Sequence, residues 1–312
     1  MIELKNVNKT FGYEKQHALR DISFKINDGE NFAVLGLDGS GKSSLLSILA
    51  GCLPPSSGRV LIDGKDLYQR PQECIRRIGY MPSKLYMYPE MTVKEYISYM
   101  FEIKGAKPSR VRIDEVLTSC MLDNADALIS SLDRTDSIKL NLAQAISGDI
   151  SILILDEPTS GLKREEAAKM RSMLKPLRDR YTFIMSSKIL REATELCDDI
   201  LIMNRGKISL NSSITELASG SASLAVLRLR IYADEERTDE FISALSEYCD
   251  IQRLSSVELG SSDMLLSFPS DTDIRPVIWQ ETVKRNIPIL EMTRKDLSLE
   301  EIFLQMTGDS QP

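Results

Sequence analysis

The eight residues Gly36-Leu37-Asp38-Gly39-Ser40-Gly41-Lys42-Ser43 constrain this chain more than any other stretch. They fit the pattern G-x-x-x-x-G-K-[ST], a phosphate-binding loop that needs a strand before it and a helix after it. Asn31 to Leu35 is a short apolar run that reads as a buried strand, and Ser44 to Ala50 reads as a helix stopped by Gly51. A strand, a glycine loop and a helix N-terminus together aim backbone N–H groups at an anion. Gly39 and Gly41 let the loop wrap closely, because a Cβ would hold the backbone away from phosphate oxygens. Lys42 is expected to reach the β- and γ-phosphates, and the Ser43 hydroxyl to ligate Mg²⁺. The candidate nucleotide contacts are therefore Gly36, Leu37, Asp38, Gly39, Ser40, Gly41, Lys42 and Ser43, with Ser44 beside them at the helix start. The expected ligand is a nucleoside triphosphate.

At 312 residues the chain can bury a full core, and length alone suggests two domains. A formal net charge of -7 gives a nucleic-acid partner no electrostatic support, so none is expected. The five cysteines are scattered singly without a C-x-x-C pair, which argues for a reducing cytosol and against a zinc site. Met1 to Asn6 lacks the apolar core of a signal peptide, and no apolar run approaches the roughly 18–20 residues of a membrane span. The sequence thus predicts a soluble chain whose membrane role, if any, is peripheral.

Two alternating sets, Ile2 with Leu4 and Val7, then Ile22 with Phe24 and Ile26, read as strands ahead of the loop with no helix between them. A plain doubly wound fold does not start that way. Val93 to Leu132 is mostly helical, and Ser151 to Glu157 is a buried strand ending in two carboxylates. Arg164 to Leu177 is an amphipathic helix, Tyr181 to Ser186 a further strand, and Asn204-Arg205-Gly206 a hairpin turn. The small polar run Ala218 to Ser223 marks a boundary, giving domains 1–217 and 223–312. After it come a strand at Leu227 to Ile231, a helix at Thr238 to Tyr248 and strands at Ile251 to Leu259 and Met264 to Phe268. A helix at Asp273 to Arg285 and a strand at Ile289 to Thr293 complete the set. That order, β-α-β-β-α-β, predicts a small α+β ferredoxin-like domain, either a docking and regulatory module or a stabilising appendage. A last helix is expected from the capping box of Ser298 and Glu301 to Gly308.

Asp156 and Glu157 lie at a strand end, where a phosphate-loop enzyme places an acid for its metal. Asp156 is the candidate Mg²⁺ ligand through water, and Glu157 the candidate base on the attacking water. Followed by Pro158-Thr159-Ser160-Gly161-Leu162, these carboxylates make the sequence resemble the ATP-binding subunits of ABC transporters. The resemblance covers roughly residues 1–215. It is supported by Ile78-Gly79-Tyr80-Met81-Pro82, Met91-Thr92-Val93-Lys94-Glu95-Tyr96 and Leu142-Ala143-Gln144-Ala145. Ser298-Leu299-Glu300-Glu301-Ile302-Phe303 is similar to the tail of ATPases that serve ABC-2 type exporters. The resemblance implies an α/β fold of the ABC-type P-loop NTPase class: a RecA-like core with an antiparallel β subdomain and a helical subdomain. It also implies ATP and Mg²⁺ as cofactors, with Phe11 where an aromatic residue stacks on adenine, although a lone aromatic there equally fits core packing. A dimer, either a homodimer or a heterodimer with a paralogous ATPase, would sit in the cytoplasm at the inner face of the membrane. There it would drive an integral-membrane permease subunit, with Ser83 to Tyr99 facing the permease.

The sequence departs from that family in several places. Where the family positions a histidine to sense the γ-phosphate, this chain has Lys188, and its one histidine is His17, expected to be a surface residue. The position of the glycine-containing signature loop is Leu132-Asp133-Arg134-Thr135-Asp136, and no glycine occurs between Gly105 and Gly148. A glutamine expected after Pro82 is Ser83, and an aspartate expected after Leu162 is Lys163. Binding and hydrolysis are therefore expected to separate, with ATP and Mg²⁺ held and turnover weak or lost. Two further readings stay open: an ordinary active exporter ATPase, and a cytosolic ATP-binding regulator or scaffold without transport.

Overall fold

The alternating apolar residues at the start of the chain form a hairpin of two long strands, β1 (Ile2–Phe11) and β2 (Gln16–Ile26), which pair antiparallel. Ile2, Leu4, Val7, Ile22, Phe24 and Ile26 all turn inward, in period-two alternation that is shifted by one residue at the irregularity between Leu4 and Val7. The computed structural model describes residues 1–12, 16–84, 86–218, 224–254, 260–269, 272–295 and 303. It divides into two units, Met1–Asn211 and Ser212–Pro312.

In the first unit the fully buried strand β3 (Asn31–Leu35) opens a second sheet and leads through the glycine loop into α1 (Lys42–Leu49). β4 (Ser57–Ile62) and β5 (Lys65–Asp66) return to the first sheet, which has the order β2-β1-β4-β5. After α2 (Pro71–Ile75) and β6 (Ile78–Met81), three helices follow: α3 (Val93–Ile103), α4 (Arg110–Ser119) and α5 (Arg134–Ile146). The chain then alternates through β7 (Ile152–Asp156), α6 (Arg164–Arg178), β8 (Thr182–Ser187) and α7 (Leu190–Leu196). β9 (Asp199–Asn204) and β10 (Lys207–Ser213) close the unit at the expected Asn204-Arg205-Gly206 turn. The second sheet has the order β10-β9-β3-β8-β7-β6, and β9, β3, β8, β7 and β6 run parallel. Phe24 and Phe32 stack with ring centroids 5.5 Å apart and join the two sheets in one core. The expected combination of a parallel core, an antiparallel β subdomain and a helical subdomain is what this unit adopts.

The helical subdomain is fixed to the core through α5. Its last turn lies so close to β6 that a Cβ on Gly79 would collide with the carbonyl oxygen of Ala145. Gln144 donates to the Tyr80 carbonyl at 2.6 Å and Asn141 to the Pro82 carbonyl at 2.8 Å. At the helix C-terminus, Lys104 turns its ammonium inward and donates to the carbonyls of Gln144 and Ala145, each at 2.7 Å. A cation there satisfies carbonyls that the helix itself leaves unpaired.

The second unit begins with the short helix α8 (Ile214–Ala218). It continues as β11 (Leu224–Tyr232), α9 (Glu235–Leu245), β12 (Asp250–Leu254), β13 (Ser261–Pro269), α10 (Arg275–Lys284) and β14 (Ile289–Lys295). Its sheet order is β12-β13-β11-β14 with every neighbouring pair antiparallel, which is the ferredoxin-like arrangement. Phe241 and Leu245 of α9 and Ile278 of α10 share a core with Leu227, Leu229, Met264 and Leu266. The strand expected to run on to Leu259 is described only as far as Leu254, because residues 255–259 lie outside the described set. The expected helix after Ser298 also lies outside it, except for buried Phe303.

Burial lowers the pKa of Lys104 to about 7, whereas an unfolded lysine stays protonated to about 10.4. Between those values the unfolded chain binds a proton that the folded chain does not, so this contribution to stability grows as pH rises from 7 toward 10 and is lost on return to 7. Denaturant titrations across that range are expected to show the rise, and Lys104→Met to flatten it. The substitution is expected to cost about 1–3 kcal/mol, because two helix-end carbonyls lose their donor.

Candidate functional site

The register of the parallel sheet gathers the predicted residues. Leu35 at the end of β3 pairs with Ser187 of β8, and Asp156 at the end of β7 pairs with Ser186 of β8. The glycine loop, the Asp156-Glu157 pair and Lys188 therefore leave the same edge of three adjacent strands, where ligands bind in open α/β sheets.

The loop itself is a cradle that side chains would fill. A Cβ on Gly36 would stand 2.5 Å from both the Met203 carbonyl oxygen and Ser40 Oγ, and one on Gly41 2.6 Å from the Ala18 carbonyl oxygen. Over Gly39 there is open space. Lys42 folds back along the loop and donates to the carbonyls of Gly36 at 2.7 Å and Leu37 at 2.8 Å. Its ammonium also lies 3.8 Å from Glu157 Oε1. Burial lowers the Lys42 pKa, and the charge of Glu157 opposes that shift. Ser40 Oγ is buried without a hydrogen-bond partner, a polar group suited to an incoming anion.

A cavity of about 270 Å³ opens over the loop. It is lined by Asp38 to Ser44, by Phe11, Gln16, His17 and Ala18 of the first hairpin, and by Glu157. Phe11 is 42% exposed, and the Lys9 ammonium sits 5.1 Å from the centre of its ring. His17 is exposed as expected, yet it lies in strand β2 opposite Thr10 and borders this cavity. Sequence reading could not place it there, because its position depends on hairpin pairing.

Asp156 is buried, and its Oδ1 accepts from Ser43 Oγ at 3.2 Å and from Ser186 Oγ at 2.6 Å. Ser43 and Asp156 thus present adjoining oxygens, the donor chemistry that Mg²⁺ takes. Among the described residues no group of three or more His, Cys, Asp or Glu could hold a metal, and water with phosphate oxygens would complete the coordination of an Mg²⁺ there. Glu157 adopts φ 51°, the left-handed region uncommon for a residue with a Cβ. Its N–H is held by Ser186 Oγ at 2.9 Å. Ser186 therefore fixes both carboxylate residues, a role invisible in the sequence. Behind it, buried Glu192 accepts from Thr159 Oγ1 at 2.7 Å and from Ser187 Oγ at 2.8 Å. That contact ties the loop after Glu157 to the end of β8.

Lys188 sits between the other two groups. Its ammonium is 2.6 Å from Asp38 Oδ1 and 3.3 Å from Glu157 Oε2. The hydrogen bond with Asp38 raises the Lys188 pKa and lowers that of Asp38.

With this geometry in view, comparison with known proteins decides the family. The family described as ABC transporter matches residues 19–160. The sulfate/thiosulfate import ATP-binding protein CysA of Thermosynechococcus vestitus is 31% identical over 265 residues, covering 80% of this chain and 76% of the relative. This chain is an ABC transporter ATP-binding protein. The Nod factor export ATP-binding protein I of Burkholderia lata is 27% identical across 98% of this chain and 97% of its own length. Among solved structures, the ATP-binding cassette MJ0796, dimeric in a post-hydrolysis state with ADP and Pi, matches with a TM-score of 0.63 and 26% identity. That match covers 69% of this chain and 99% of the cassette. The fold and the family expected from the residues both stand. Among the described residues no helix is long and apolar enough to cross a membrane.

Ser186→Ala removes the one hydroxyl that serves both carboxylate residues. Thermal unfolding is expected to show a loss of about 1–3 kcal/mol, since the Glu157 N–H is left without its acceptor. Nucleotide affinity is expected to fall more with Mg²⁺ present than with EDTA, because Asp156 loses its orientation.

Proposed function

We propose that this chain is the ATP-binding subunit of an ABC-2 type export system, holding Mg-ATP and coupling it to a separate membrane permease while hydrolysing it weakly. The observation that carries the binding half is the convergence of the loop cradle, Lys42, Ser43 and Asp156 at one sheet edge. In this reading the loop N–H groups and Lys42 hold the phosphates, and Ser43 and Asp156 hold Mg²⁺, Asp156 through water. Phe11 meets the adenine and Glu157 is the base. Bound Mg²⁺ would supply charge neutralisation on the phosphate oxygens.

The weak half rests on what stands in place of the family's hydrolytic parts. Lys188 occupies the switch position already paired with Asp38 and Glu157. At the signature position, Asp133 caps α5 and its own Oδ1 takes the Asp136 N–H at 2.8 Å. The helix N-terminus that would grip a partner's phosphate is therefore met first by a carboxylate. Arg134 beside it lies over Gly161 of the loop after Glu157, where an added Cβ would collide with its guanidinium. A site completed in trans by this surface would be poorer than the family's, which favours a heterodimer with a more competent paralogue over a homodimer. The intact placement of Glu157 favours the second reading, an ordinary active exporter ATPase.

The permease face is assigned to Ser83–Tyr99. Tyr86 is 95% exposed there, and the half-exposed Tyr88 packs edge-on against Tyr99 at 5.7 Å. The relatives that span nearly the whole chain include a Nod factor export protein, which supports the exporter side. A cytoplasmic position at the inner membrane face follows from that coupling.

Steady-state phosphate release by the purified chain, with Glu157→Gln as the blank, is expected to stay within about tenfold of that blank. Robust turnover that Glu157→Gln abolishes decides for the active ATPase. Affinity capture from membranes is expected to bring down a polytopic protein, and Tyr86→Ala with Tyr88→Ala to weaken that capture. Purification free of any membrane protein would favour a cytosolic regulator.

A further inference from the structure

Lys42 and Lys188 approach the same carboxylate from its two oxygens: Lys42 lies 3.8 Å from Glu157 Oε1 and Lys188 lies 3.3 Å from Oε2. In a loop of this type Lys42 serves the β- and γ-phosphates. Lys188 thus adds a second cation beside the carboxylate that Lys42 already flanks. That cation is already engaged, because Asp38, from the loop itself, holds it at 2.6 Å. Asp38 is otherwise exposed and makes no other ion pair among the described residues. In the structure its carboxylate therefore occupies the Lys188 ammonium.

We propose that Asp38 and the γ-phosphate of a bound nucleoside triphosphate compete for the Lys188 ammonium, so that Lys188 selects triphosphate over diphosphate and Asp38 tempers the selection. The inference rests on the nucleotide site proposed above and concerns only what distinguishes its ligands. Three carboxylates, Asp38, Asp156 and Glu157, and two ammoniums, Lys42 and Lys188, meet here. A diphosphate ends at the group Lys42 holds and leaves the Lys188–Asp38 pair standing. A triphosphate offers Lys188 a more highly charged partner and releases Asp38 to water, which costs little because an exposed ion pair is weak.

The test measures dissociation constants of the full chain for ADP and for an imido analogue of ATP, both with Mg²⁺, by calorimetry. Asp38→Asn is expected to raise the preference for the triphosphate about two- to fivefold, the equivalent of losing an exposed competing pair. Lys188→Gln is expected to lower that preference about tenfold or more, as for a lost hydrogen bond between charged groups, and Lys188→Arg to keep most of it. In the Lys188→Gln background Asp38→Asn is expected to have no further effect on the preference. If the Asp38→Asn effect persists there at full size, it reflects mere removal of a negative charge and the competition is overturned. An unchanged preference in Lys188→Gln overturns it as well. If the wild-type chain binds neither probe, the nucleotide-site reading falls and this inference falls with it, whereas ADP binding with failed variants overturns the competition alone. Both side chains are at the surface, and circular dichroism melts matching the wild type establish that the variants are folded.

Discussion

The chemistry of the first unit depends on the order of three parallel strands. In sequence the loop strand β3 comes first, the carboxylate strand β7 later and β8 directly after β7. In the sheet β8 lies between the other two. That interchange sets Ser186 against Asp156 and brings Lys188 between the loops that follow β3 and β7. Hydrogen bonding in the sheet fixes the strand ends to within a residue, since a one-residue slip would turn every side chain to the opposite face. The fully buried residues of all three strands make such a slip costly. The site is thus held by core packing, and its own charged groups need not supply its stability.

The features legible in the sequence are those with local causes. The glycine loop is legible because close approach to an anion demands small residues at fixed spacing, and Asp156-Glu157 because a buried strand ends there in two charges. The β-α-β-β-α-β order of the second unit is legible because period and punctuation suffice for it, and its antiparallel pairing follows. Ser186 is one serine among many until strand pairing gives it two partners, at 2.6 Å and 2.9 Å. Glu192 and His17 are hidden for the same reason. The first answers Thr159 and Ser187 from another helix, and the second reaches the cavity only through the β1–β2 register.

The two halves of the proposed function have different structural standing because they draw on different parts of the fold. In that proposal the groups that would hold phosphate come from the loop and from β7, whose positions the sheet dictates. The groups that would help to cleave it come from the ends of β8 and α5, where the chain carries Lys188 and Asp133. Unit charges about 4 Å apart interact by roughly 4 kcal/mol at an effective dielectric near 20. A carboxylate at the N-terminus of α5 in place of an uncharged donor therefore opposes an approaching phosphate by more than a neutral hydrogen bond would gain, about 0.5–1.5 kcal/mol. Arg134 offsets part of that, yet its guanidinium already lies over Gly161. Lys188 differs from the titratable imidazole of the family in kind as well as in reach, because its pKa is raised further by Asp38. It offers a fixed positive charge with no acceptor to orient a water molecule. A group of that kind would stabilise a bound phosphate and give nothing to proton transfer, so under the proposed function the same substitution would strengthen holding and weaken cleavage.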